Sequence, residues 1–63
     1  QKVPEAAATL GEIYERGVGT AVNLKESLTW YQLAVAYGYA QARASVDRVQ
    51  LIMSGKMSPS PTK

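Results

Sequence analysis

The 63-residue chain contains no cysteine and no histidine. That excludes disulfides, thiol chemistry and the usual structural zinc sites. It says nothing about redox compartment, because a helical fold needs no disulfides in either environment. No apolar run approaches the ~20 residues of a membrane span. No signal-peptide pattern is present, which excludes little for a piece of a longer chain. Charge of one sign is also scarce. Seven Lys and Arg face five Asp and Glu, net +2, with Lys2, Arg16, Lys25, Arg43, Arg48, Lys56 and Lys63 scattered along the chain. No cluster forms a nucleic-acid stripe or a polybasic membrane segment, so neither partner is expected. A domain this short buries only about 60% of the surface its unfolded chain exposes. With neither disulfide nor metal to help, the expectation is a piece of a larger protein; Gln1 at the start and a Ser/Pro tail at the end fit that expectation.

What the chain does have is helical periodicity. After a lead-in over 1–4, the apolar positions Ala6, Leu10, Ile13, Tyr14 and Gly17 follow the spacing of one helix face, with Val3 and Ala7 on the same face. Thr9, Glu12, Glu15 and Arg16 fall away from it. This predicts a first helix over 5–17. Gly11, beside that face, costs about 1 kcal/mol relative to Ala, which points to close approach of a second helix. Gly17 is placed to end the helix and Gly19 to keep the connection tight.

Asn23 is a favoured N-cap, and with Glu26 three residues on, it resembles a capping box. The second helix is predicted over 24–37. Its apolar set (Leu24, Ser27, Leu28, Trp30, Tyr31, Ala34, Val35, Tyr37) covers about half the circumference. A face that wide implies a neighbour on each side. Gly38 ends the helix. A third helical face, Ala42, Val46, Val49 and Met53, predicts a closing helix within 39–55, stopped by Gly55. Residues 56–63 read as a Ser/Pro linker.

Ala6, Leu10 and Ile13 correspond to Ala42, Val46 and Val49, each 36 positions on. The third helix therefore reads as the first helix of a second unit, packed on the other side of the second helix. A period in the mid-thirties with two helices per unit indicates an α-solenoid. The fold expected is all-α, with three antiparallel helices.

The run Ala6, Leu10-Gly11, Tyr14-Glu15, Gly17-Val18-Gly19, then Leu28, Trp30-Tyr31, Ala34, Gly38 and Ala42, resembles the Sel1-like repeat, a relative of the tetratricopeptide repeat. The resemblance covers residues 5–40, about one unit. Asn23 stands where that family usually has Asp, and Ser27 where it usually has Ala. In the second unit Gly11, Tyr14 and Gly17 become Asp47, Gln50 and Met53, so the signature is lost there and the unit closes the array. The resemblance implies a non-enzymatic interaction scaffold or adaptor without cofactor. Many such proteins belong to the bacterial envelope or are secreted, so the resemblance implies a periplasmic or otherwise exported location.

Other readings of the same residues are weaker. Glu12 and Glu15, one turn apart, could form a catalytic carboxylate pair, but a solvated helix face is the simpler account. Gly17-Val18-Gly19 follows a helix and lacks the strand and Lys-Ser/Thr of a phosphate loop. Trp30, Tyr31 and Tyr14 suit a core. Tyr37 and Tyr39 flank Gly38 and, with Trp30, leave open a glycan or peptidoglycan site. The candidate partner surface is the concave side. There the first helix offers Glu5, Ala8, Thr9, Glu12, Glu15 and Arg16, and the 36-residue offset sets Gln41, Ala44, Ser45, Arg48, Leu51 and Ile52 beside them. Ala44, Leu51 and Ile52 would form a small apolar patch. The architectural residues are Leu10, Gly11, Tyr14, Gly17, Gly19, Asn23, Trp30, Tyr31, Ala34 and Gly38. The partner expected is another protein or peptide, with capping of the array or self-association as the alternative.

Overall fold

The computed structural model describes residues 3–56. Most of the Ser/Pro tail, residues 57–63, lies outside them. The described chain is all-α: α1 is Val3–Arg16, α2 is Leu24–Ala36 and α3 is Ala42–Met53. α1 begins inside the expected lead-in. Pro4 sits in its first turn, where a missing N–H costs nothing. α3 starts later than the periodicity suggested, because residues 37–41 make the turn.

α2 is the middle element and packs along both α1 and α3. The core cluster is Ala7, Tyr31, Ala34, Ala42 and Val49, with Ala8, Leu24, Leu28, Trp30, Val35, Tyr39 and Val46 packed against it. Small residues at the seams let the backbones come close. At Gly11 an added Cβ would lie 2.8 Å from the Tyr31 ring, nearer than real carbon contacts allow. Ser27 closes the same contact: its hydroxyl donates to the Gly11 carbonyl at 2.7 Å, fully buried.

The α1 seam differs from the expected one. The buried positions are Ala7, Gly11 and Glu15. Leu10, Ile13 and Tyr14 are half-buried, Ala6 is exposed and Val3 is 52% exposed. The seam is rotated by one residue because the Tyr31 ring needs the bare backbone of Gly11 beneath it. Likewise α3 buries Ala42, Val49 and Ile52, while Met53 is 47% exposed. Trp30 is half-buried rather than core, and its indole N–H is buried without an acceptor.

The ends follow from capping chemistry. Asn23 accepts from the Glu26 N–H at 3.1 Å. The second half of the expected capping box is missing, because the Asn23 N–H donates instead to the Tyr14 carbonyl at 2.9 Å. That bond ties the start of α2 to the last turn of α1. After α2, Gly38 takes a left-handed φ of 102°. The Tyr39 N–H then reaches the Ala34 carbonyl at 3.0 Å and the Gly38 N–H the Val35 carbonyl at 2.9 Å, satisfying carbonyls the helix leaves open.

Candidate functional site

One side chain from each helix meets at a single point. Glu15 of α1 accepts two bonds from Arg48 of α3, from Nε at 2.8 Å and Nη2 at 2.7 Å. It also accepts one from the Tyr31 hydroxyl of α2 at 2.8 Å. The Glu15 side chain is 4% exposed, that of Arg48 42%. A carboxylate this buried is tolerated because three charge-assisted or hydroxyl donors satisfy it. Arg48 holds the Glu15 carboxyl below its usual value, against the opposing effect of burial, with Tyr31 adding to the lowering. Burial, then the bond to Glu15, pushes the Tyr31 phenol up to about 12. The Arg48 guanidinium is held more firmly protonated by Glu15.

Above this clasp, α1 and α3 diverge into a groove of about 590 Å³. α1 contributes Glu5, Ala8, Thr9, Glu12, Glu15 and Arg16; α3 and the turn before it contribute Tyr39, Gln41, Ala42, Ser45 and Arg48; Tyr31 lies between. Glu12 and Arg16 form an exposed ion pair at 3.4 Å, worth little in stability. Glu5 adds a carboxylate to the α1 wall, and Gln41 makes no capping bond to α3.

Of the twelve residues expected on the partner surface, the structure brings together nine: Glu5, Ala8, Thr9, Glu12, Glu15, Arg16, Gln41, Ser45 and Arg48. It separates Ala44, Leu51 and Ile52 from them. Ala44 is exposed but outside the groove, and Leu51, 39% exposed, borders a different depression with Asp47, Gln50, Ser54 and Lys56. Ile52 is 8% exposed and turned into the molecule, so the expected Ala44–Leu51–Ile52 patch does not form. Glu15 is not a solvated outward residue but the base of the groove. Glu12 and Glu15 each face an arginine of their own, Arg16 and Arg48. Of the aromatics, Tyr39 lines the groove, Tyr37 is 54% exposed and outside it, and Trp30 does not line it either, so these three do not share one platform.

The clasp was missed from sequence, although its signal exists. Ala7, Gly11 and Glu15 are spaced i, i+4, i+8, and Ser27 and Tyr31 are one turn apart on α2. Following the glycine forward by one turn leads to Glu15; the apolar-residue criterion passed it over.

Among the described residues no group of three or more His, Cys, Asp or Glu could hold a metal, and no helix is long and apolar enough to cross a membrane. No family model, no curated protein and no solved structure matches the chain.

Proposed function

We propose that this chain is a non-enzymatic interaction module of the Sel1-like, tetratricopeptide-like kind, which holds a segment of another protein in the groove between α1 and α3. The observation that carries this reading is the groove itself: the flank of α1 beside its seam and the start of α3 line one concavity with polar walls. The ionised groups at its base are spent on each other, which suits a rigid seat more than a reacting centre. The structural work of the signature residues supports the family reading. Gly11 lies beneath Tyr31, Asn23 caps α2, and Ala34 is fully buried. In this reading the unit is the C-terminal part of a repeat array in a larger, bacterial protein, and α3 closes the array.

Selection of random peptides displayed on phage against the immobilised chain tests the proposal. Enriched peptides should lose binding when Ala8→Trp fills the groove and keep it when Lys25→Ala alters α2 outside the groove. Failure to enrich any peptide, or equal binding to both variants, would contradict it.

A further inference from the structure

The groove between α1 and α3 is charged unevenly along its length. At one end Glu15 is neutralised by Arg48 at 2.7 Å. Beside it on α1, Glu12 pairs with Arg16 at 3.4 Å. The wall opposite α1, from Tyr39 through Gln41 to Ser45, carries no formal charge. Glu5 remains, an exposed carboxylate with no ion pair among the described residues. Three carboxylates therefore face two guanidinium groups in the groove, and the unbalanced charge sits at Glu5. The loop between α1 and α2 and the turn between α2 and α3 each reverse the chain, so α1 and α3 run in the same direction. Glu5 thus shares the end of the groove where Tyr39 and Gln41 lead into α3.

Size narrows the occupant further. Arg16 lies eleven residues beyond Glu5, a length of ~16 Å at the helical rise, which about five residues of extended chain span. Spread over ~16 Å, the 590 Å³ of the groove has a mean section of about 36 Å². A helix with its side chains is ~10 Å across and needs roughly twice that. An extended segment fits, but it brings unpaired backbone groups that must find partners. The groove offers them. The Gln41 side chain makes no capping bond, and Arg48 binds Glu15 through Nε and Nη2, with Nη1 left to donate.

We infer that the occupant of the groove is an extended segment of about five residues that carries a lysine or arginine side chain at the Glu5–Tyr39 end. The inference rests on the peptide-binding reading above and adds to it the chemistry of the peptide. The alkyl stem of the cation lies over Ala8, whose small side chain leaves room for it. Its head meets the Glu5 carboxylate, and the Tyr39 ring beside it suits a cation. An acidic side chain at the same place meets Glu5 with like charge and is rejected.

Parallel phage selections on the chain and on Glu5→Lys test this. Peptides enriched on the unaltered chain should carry Lys or Arg at one terminal position several-fold above the unselected library. Selection on Glu5→Lys should lose that preference and favour Asp or Glu there. Glu5 is exposed, so its replacement leaves the α1–α2 seam intact, and circular dichroism checks the helicity. A resynthesised peptide should bind Glu5→Gln about two- to fivefold more weakly, the range of an exposed ion pair, and its affinity for the unaltered chain should fall as salt is raised. Peptides that are enriched and lost with Ala8→Trp but carry no cation would overturn this inference and leave the peptide-binding reading standing. A lysine preference unchanged in Glu5→Lys would also overturn it. No enrichment on any of the chains would overturn both.

Discussion

Glu15 has an acid's composition and a core residue's position, and its consequences are measurable. Its carboxyl is held below the ordinary 4.5 by Arg48 and Tyr31. A depressed folded-state value means the contribution is in full force above the unfolded value and is lost as pH falls through the folded one. Stability should therefore decline as pH is lowered from about 4.5, and Glu15→Gln should flatten that decline in denaturant titrations across the acid range. Tyr31 works in the opposite direction. Its raised value favours the neutral phenol in the fold, so stability present below pH 10 should be lost on approach to about 12. Tyr31→Phe should remove this alkaline loss at a cost of about 1 kcal/mol for the hydrogen bond. Arg48→Ala leaves a buried carboxylate without its cation. A fully buried break costs ~3–5 kcal/mol, but Arg48 is 42% exposed, so screening brings the expected loss down to about 2 kcal/mol. Gly11→Ala sets two effects against each other. Helix propensity gains about 1 kcal/mol, while the 2.8 Å approach to the Tyr31 ring forces a shift costing ~1–3 kcal/mol. The net expectation in thermal unfolding is a loss, and a larger one for Gly11→Leu.

At the scale of the elements, capping and closure set the order of stability. Asn23→Ala should cost about 1 kcal/mol, whereas Glu26→Ala should cost little, because the Asn23 N–H is already bonded to Tyr14. A chemical-denaturation series on both variants separates the half cap from a full capping box. α3 has no side-chain N-cap and is tied to α1 by one side chain. Its amides should exchange faster than those of α1 and α2 in native-state hydrogen exchange. The helices and their approximate ends were legible in the sequence, because 3.6-residue periodicity, Asn23 and the glycines at 17, 38 and 55 are local signals. The rotation of α1 was not. Counting apolar residues placed Leu10, Ile13 and Tyr14 inward, yet close packing over Gly11 decided the seam and drew an acid into it. The groove walls Glu5, Thr9 and Gln41 were within reach of the repeat offset. The inward turn of Ile52 depended on how α3 lies against α2, a tertiary fact that the offset does not contain.

At the scale of the molecule, three helices make two layers of contact with α2 in the middle, and the polar clasp at the base of the groove spans them. The use proposed for the surface belongs to the groove side of α1, which would hold a peptide. The proposed function requires a partner segment to seat in the groove. Chemical-shift mapping of the ¹⁵N-labelled chain with a groove-selected peptide tests it most directly. A peptide seated in the groove shifts amides clustered at Thr9, Glu12, Gln41 and Ser45, and Ala8→Trp abolishes the shifts. Shifts confined to the Leu51–Ser54–Lys56 end, or spread evenly with no change in Ala8→Trp, would contradict it.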